Sequence, residues 1–85
     1  MRLLTTKSFD EDYAALSDTI KKLADRKLHI FLKNPRHPSL RIKKMEGSGD
    51  IWEGRITKSC RFTFQTEGDV YILRRIGAHD ILRTP

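Results

Sequence analysis

The hydrophobic period of the chain changes at Asn34-Pro35. Before this point apolar residues recur at helical spacing, and after it they alternate as they do in strands. Pro35 disfavours helical geometry in the residue before it, and Pro38 opposes a restart of the helix. The chain is therefore predicted to place its helices first and most of its strands second, which is an α+β arrangement.

The first half is predicted to hold one strand and a helical hairpin. Residues 2–6 are rich in Leu and Thr and suit a strand, while Ser8 with Glu11 three residues later has the form of a capping box that starts a helix. A second helix is predicted to begin at Asp18 and to end near Asn34, because its apolar residues follow the 3.6-residue period while its cations face away. The two helices then form a hairpin.

The second half is predicted to form four strands, at residues 40–45, 51–56, 61–65 and 70–76. The links between them are short and turn-like, at residues 47–50, 57–59 and 67–69. Short links make neighbouring strands antiparallel, so the strands should form a meander. With 85 residues the chain can bury one modest core, and we expect a single domain, residues 1–85, whose helices cover one face of the sheet.

Charge and cysteine content narrow the functional classes. Seventeen Lys and Arg residues against eleven Asp and Glu give a formal charge of +6, which favours nucleic acid or an acidic protein segment as partner. Cys60 is the single cysteine, so an internal disulfide is excluded and a reducing compartment is expected. The three histidines are far apart in sequence, which predicts no metal site and no metal cofactor. We also expect no signal peptide and no membrane span, and therefore a cytoplasmic protein.

Charged side chains occupy alternate positions in the predicted strands. Glu53 and Arg55 share one face of their strand, and Arg61 lies on the corresponding face of the next one. The apolar residues between them should pack against the helices, which leaves the charged face open. The first and last strands of the meander add further cations near this face, namely Lys43 or Lys44 and Arg75 or His79. This pattern predicts phosphate binding.

Two of these residues have simpler alternative roles. Spacing alone supports a salt bridge from Arg61 to Glu53 or Glu67 as well as it supports phosphate binding. For His79, spacing alone favours a partly exposed histidine at the end of a strand over acid-base chemistry. The sequence leaves both alternatives open.

Several motifs occur in a fixed order along almost the whole chain. They are the Asn34-Pro35 stop, Leu40-Arg41-x-Lys43-Lys44-Met45-x-Gly47, Trp52-x-x-Arg55-Ile56-x5-Phe62 with Arg61 before the phenylalanine, and Ile76-Gly77-x-His79-Asp80. In this order and spacing they closely resemble the RelE/ParE family of toxins from bacterial type II toxin-antitoxin systems. The resemblance implies a RelE-like fold, in which an N-terminal strand and a helical hairpin precede the four-stranded antiparallel meander.

The resemblance also implies a function. Most members of this family are ribosome-dependent endoribonucleases that cut translated mRNA, whereas the ParE branch inhibits DNA gyrase. It therefore implies an mRNA-cleaving toxin with the ribosome and mRNA as partners, without a cofactor, and neutralised by an acidic segment of a cognate antitoxin. A ParE-like gyrase inhibitor and a catalytically degenerate member that acts by binding are the alternatives.

Catalytic and RNA-binding roles follow from the same resemblance and from the positions of the charged residues on the strands. Arg61 matches the phosphate-stabilising arginine of the family, and His79 is the best acid-base candidate. Glu53 is a possible base or a group that orients Arg55. Arg83 stands where the family frequently has an aromatic residue. The predicted RNA-binding residues are Arg55, Lys43, Lys44, Arg75 and Arg83.

Overall fold

The computed structural model describes residues 2–47 and 49–85, and these residues form an α+β fold, as predicted. The elements are β1 (Arg2–Thr5), α1 (Lys7–Ala14), α2 (Asp18–Lys33), β2 (Lys43–Lys44), β3 (Trp52–Arg55), β4 (Arg61–Glu67) and β5 (Val70–Gly77), with 3-10 turns at Pro38–Leu40 and His79–Arg83. No helix in the described part of the chain is long and apolar enough to cross a membrane.

The strands form one mixed sheet in the order β1-β5-β4-β3-β2. Strands β2 to β5 are antiparallel neighbours, which confirms the predicted meander. Strand β1 pairs in parallel with β5 at the far edge, with Arg2 opposite Val70. A parallel pair requires a long crossover, and the helices and the rest of the meander lie between these two strands in sequence.

Helix α1 starts earlier than predicted. Its N-cap is Thr6, so the predicted capping box of Ser8 and Glu11 is wrong. The Thr6 hydroxyl accepts a hydrogen bond from the backbone N–H of Phe9 at 3.1 Å and donates one to the carbonyl of Arg74 in β5 at 2.8 Å. The cap thus joins the start of α1 to the sheet, a contact that the local sequence does not encode.

Helix α2 confirms its predicted boundaries. It begins at Asp18, where the Ser17 hydroxyl accepts a hydrogen bond from the N–H of Ile20 at 3.2 Å. At the other end Asn34 has φ −148° and ψ 84°, outside helical geometry, immediately before Pro35. The chain therefore leaves the helix where the proline requires it to.

The predicted strand at residues 40–45 is wrong over most of its length. Strand β2 is two residues long, because residues 38–40 form a 3-10 turn that buries Leu40 completely. Arg41 follows in the left-handed conformation, with φ 46° and ψ 48°, which interrupts any extended geometry. The other three strands of the meander agree with the prediction to within one or two residues at each end.

The core lies between α2 and one face of the sheet. Phe31 of α2 contacts Phe62, Phe64 and Tyr71, with ring centroids 5.4, 4.7 and 4.5 Å away. The contacts with Phe62 and Phe64 are edge-to-face, which is a favourable arrangement for aromatic pairs. The helices therefore cover the apolar face of the sheet, as the alternation predicted.

The opposite face is closed over part of its area, which corrects the expectation that it is open. The Thr63 hydroxyl and the Arg74 Nε both donate to the carbonyl of Pro85, at 3.2 and 3.1 Å, and an Arg75 Nη donates to the carbonyl of Thr84. Residues 84–85 thus lie across β4 and β5, and Thr63 is fully buried. The part of this face formed by β2, β3 and the start of β4 stays uncovered.

Candidate phosphate-binding site

The uncovered part of the sheet carries an open groove of about 660 Å³. Strands β2, β3 and β4 form its floor, and the C-terminal 3-10 turn contributes one side. Six of the predicted site residues line it together: Lys43, Lys44, Glu53, Arg55, Arg61 and His79. Met45, Glu46 and Leu82 complete the lining.

Two arginines stand side by side on the floor of this groove. Arg55 on β3 and Arg61 on β4 are directly paired in the strand register. Like charges in directly opposed positions destabilise a sheet. Burial and the positive charges of Arg61 and Arg41 lower the pKa of Arg55 below its ordinary value. The groove therefore concentrates positive charge at a cost in stability.

The same two arginines carry hydrogen-bond donors that the protein does not use. The Nε atoms of Arg55 and Arg61 are both buried, and neither has a hydrogen-bond partner within residues 2–47 and 49–85. A buried polar donor without an acceptor costs free energy, so such atoms are rare in folded proteins. An anion bound between the two guanidinium groups would supply both missing acceptors and offset their repulsion.

Glu53 balances part of this charge from within the sheet. Its side chain is 5% exposed, and its Oε1 lies 3.2 Å from the Lys43 Nζ and 3.8 Å from an Arg61 Nη. The salt bridge from Arg61 to Glu53 that spacing suggested is therefore present, although it is longer than a hydrogen bond. The other Arg61 Nη donates to the carbonyl of Lys58 at 3.2 Å. These contacts hold the outer end of the guanidinium and leave its buried Nε without an acceptor among the described residues.

His79 begins the C-terminal 3-10 turn and lines the groove from the side. It is exposed to solvent. The strand β5 ends at Gly77, so His79 lies just beyond the strand. An exposed imidazole beside two arginines can exchange a proton with a group bound on the groove floor.

Arg75 and Arg83 lie outside the groove. The Arg75 Nε donates to the Asp12 carboxylate at 2.6 Å, and a second nitrogen donates to the other carboxylate oxygen at 3.1 Å. This hydrogen bond raises the pKa of Arg75 and joins β5 to α1. Arg83 is exposed on the C-terminal turn. The groove thus draws on neither residue, and their RNA-binding roles stay predictions.

Arg41 belongs to this charged region, although its predicted strand position did not single it out as a site residue. Its charge acts on Arg55, since it contributes to the lowered pKa of that residue. The left-handed backbone at Arg41 sets the direction in which its side chain leaves the chain. A signal was present in the sequence, because Pro38 two residues before Leu40 is typical of a turn.

Comparisons with known proteins place the chain by its fold. No protein-family model matches the sequence, and no curated protein matches it. Solved structures match over nearly the whole chain. A YoeB/ParE toxin from Agrobacterium tumefaciens has a TM-score of 0.80 at 20% identity, covering 93% of this chain and 99% of its own.

Two structures from Escherichia coli agree with this result. YafQ from strain BL21(DE3) has a TM-score of 0.80 at 11% identity, covering 96% of this chain and 98% of its own. The intact RelBE toxin-antitoxin complex has a TM-score of 0.71 at 20% identity, covering 91% of this chain and 94% of the matched one. The resemblance suggested by the motifs is therefore confirmed at the level of the fold. The chain has the RelE-like α+β fold of the RelE/ParE toxins.

Proposed function

We propose that this protein is the toxin of a type II toxin-antitoxin system and that it acts as a ribosome-dependent endoribonuclease on translated mRNA. One observation carries the choice of chemistry. The Nε donors of Arg55 and Arg61 are buried on the groove floor without an acceptor among the described residues. A phosphodiester has the negative charge and the oxygen atoms that such donors bind.

In the proposed reaction the ribose 2′-oxygen attacks the adjacent phosphorus while the bond to the 5′-oxygen of the next nucleotide breaks. The products are a 2′,3′-cyclic phosphate and a free 5′-hydroxyl. Negative charge builds on the phosphate oxygens in the pentacoordinate transition state, and fixed donors stabilise it most when they are already in place. Arg61 is the main stabiliser and Arg55 supports it. Lys43 and Lys44 hold the neighbouring backbone.

The reaction also requires two proton transfers, one from the 2′-hydroxyl and one to the leaving 5′-oxygen. We assign one of them to His79, the exposed imidazole that lines the groove. Glu53 is a less suitable base, because its carboxylate is buried and bound by Lys43 and Arg61. We assign Glu53 instead as the residue that positions Arg61.

The groove also favours an antitoxin partner. The chain carries a formal charge of +6, and the groove gathers two arginines and two lysines. An acidic antitoxin segment laid in the groove would occupy the donors that the phosphate needs and block the reaction by competition. The structures with this fold include the toxin-antitoxin complexes RelBE and DinJ-YafQ. We also propose that the protein associates with ribosomes in the cytoplasm.

The test compares Arg61→Ala with Arg26→Ala, which removes an exposed cation on α2. Both variants should fold, and we expect cleavage of translated mRNA to fall about 100- to 1,000-fold in Arg61→Ala while Arg26→Ala keeps it. Primer extension on one translated transcript measures the cut, and a plasmid supercoiling assay is run on the same cells.

Three outcomes would contradict the proposal in different ways. Full cleavage by Arg61→Ala would show that Arg61 does not stabilise the phosphate in the transition state. Intact transcripts together with relaxed or linear plasmid DNA after induction of the wild-type protein would replace the nuclease with a ParE-like gyrase inhibitor. Intact transcripts with normal supercoiling would indicate a degenerate member that acts by binding.

A further inference from the structure

A second pocket lies between the end of α2 and the start of β2. Its volume is about 380 Å³, and it is lined by Pro35, Arg36, His37, Pro38, Arg41 and Ile42. We call it the Arg41 pocket. Its lining contains two arginines and no carboxylate. Neither arginine forms an ion pair within the part of the chain that the structure describes. The pocket therefore holds uncompensated positive charge in a concave surface.

The backbone at Arg41 is unusual. It has a φ of 46°, the one positive φ at a non-glycine position among the described residues. Glycine adopts this conformation freely, whereas a residue with a side chain adopts it at a cost. The buried Leu40 immediately before it anchors the 3-10 turn in the core and fixes this geometry. Arg41 thus occupies a backbone conformation that glycine would adopt more easily.

His37 adds a donor to the pocket. Its Nδ1 accepts a hydrogen bond from the backbone N–H of Ser39 at 3.2 Å and lies 2.8 Å from the Ser39 hydroxyl. A backbone N–H can act as a donor alone, so Nδ1 carries no proton and the neutral ring bears its proton on Nε2. His37 is one of the residues that line the pocket.

The Arg41 pocket adjoins the groove along the chain. The positive charge of Arg41 contributes to the lowered pKa of Arg55 on the groove floor. Ile42 of the pocket directly precedes Lys43 of the groove. A ligand with two anionic groups in sequence could occupy both concavities.

We propose that the Arg41 pocket is a second phosphate subsite, which binds another phosphate of the same RNA strand whose scissile phosphate lies between Arg55 and Arg61. This inference rests on the proposed function of the groove. Arg36, Arg41 and the His37 Nε2 are the donors, and the bound phosphate sets the register of the strand on the groove floor. A phosphate from ribosomal RNA has the same chemistry, so the experiment must separate the two sources.

The decisive variant is Arg41→Gly, since it removes the cation and relaxes the left-handed backbone, so the fold is retained. The matched control is Arg26→Gln, which removes one exposed cation from α2, away from both sites. The probe is an RNA tetranucleotide methylated at every 2′-oxygen, which the proposed reaction does not cleave. NMR titration of the ¹⁵N-labelled protein follows the amides of residues 36–42 and those of Arg55 and Arg61 separately.

We expect both groups of amides to shift with one dissociation constant. Arg41→Gly should weaken tetranucleotide binding about five- to tenfold, as expected for the loss of one hydrogen bond from a solvent-exposed side chain, while Arg26→Gln changes it little. Unshifted amides at residues 36–42, or equal affinities of the two variants, would overturn the subsite. Shifts at residues 36–42 without shifts at Arg55 and Arg61 would refute the proposal that one RNA strand occupies both the pocket and the groove.

Ribosome binding of the same variants identifies the source of the phosphate. If Arg41→Gly weakens ribosome binding and leaves tetranucleotide binding unchanged, the phosphate belongs to ribosomal RNA and the same-strand proposal is wrong. Failure of the proposed function is recognised independently, since wild-type protein would then leave translated transcripts intact whatever the titration shows.

Discussion

Replacing the buried glutamate of the groove should weaken the fold and strengthen anion binding at the same time. Glu53→Gln keeps the shape of the side chain and removes its charge. The carboxylate is 5% exposed and lies 3.2 Å from the Lys43 Nζ and 3.8 Å from an Arg61 Nη. Without it, Arg55 and Arg61 still face each other across the strands but lose the nearest buried negative charge.

The size of the stability loss follows from how exposed the two partners are. The Lys43 side chain is 71% exposed, so its ion pair contributes about 0.2–1 kcal/mol. The Arg61 side chain is 15% exposed, and removing one partner of a fully buried pair costs about 3–5 kcal/mol. The 3.8 Å separation reduces this second contribution. We expect the free energy of unfolding to fall by about 1–3 kcal/mol.

The anion-binding half of the prediction uses pyrophosphate as the probe. Glu53 competes with any anion for Arg61 and Lys43, so Glu53→Gln should bind pyrophosphate more tightly than the wild-type protein. A ligand at 100 times its dissociation constant stabilises the folded state by about 2.7 kcal/mol. Added pyrophosphate should therefore recover more stability in the variant than it adds to the wild type.

Urea unfolding at low ionic strength, followed by the fluorescence of Trp52, measures both effects. Glu46→Gln is the matched control, because it removes an exposed carboxylate from the lining of the same groove. The reasoning is refuted if Glu53→Gln loses no more stability than this control. It is also refuted if pyrophosphate stabilises the wild type and both variants equally.

Three further predictions test the chemistry and the core. His79→Gln should slow cleavage of translated mRNA by a factor of about 100 or more in single-turnover kinetics, while ribosome binding is retained. Gly54→Ala should lower the free energy of unfolding by about 1–3 kcal/mol in a urea titration, since its Cβ would overlap the Phe62 ring and lie 2.8 Å from the Ile42 Cδ1. Burial raises the pKa of the Cys60 thiol, so iodoacetamide at pH 8 should alkylate the urea-unfolded chain much faster than the native one.

Local rules were sufficient for part of the fold. The boundaries of α2 follow from its period, from the residues at its start and from Pro35, all of which act within a few residues. The meander follows from alternation and short turns. Where a contact joins distant residues, the same rules failed. Thr6 caps α1 partly because its hydroxyl reaches the carbonyl of Arg74, and Ser8 has no comparable partner in the described structure.

The site was predictable to the extent that it depends on the pleat of the strands. Alternation is enough to place Glu53, Arg55 and Arg61 on one face, and the structure brings them together. The left-handed turn at Arg41 and the path of residues 84–85 depend on tertiary contacts, with Leu40 in the core and with β4 and β5. Neither could be read from periodicity.

The path of residues 84–85 explains why the arginines of one sheet differ in what they can bind. Arg74 and Arg75 lie where this segment covers the strands, and the carbonyls of Pro85 and Thr84 accept their hydrogen bonds. Arg55 and Arg61 lie beyond the covered part, and their Nε atoms have no acceptor among the described residues. The four side chains have the same chemistry. They differ in whether the protein provides hydrogen-bond acceptors for their guanidinium groups. A site for an external phosphate is therefore expected where the protein provides no acceptors for these arginines, which is the floor of the groove.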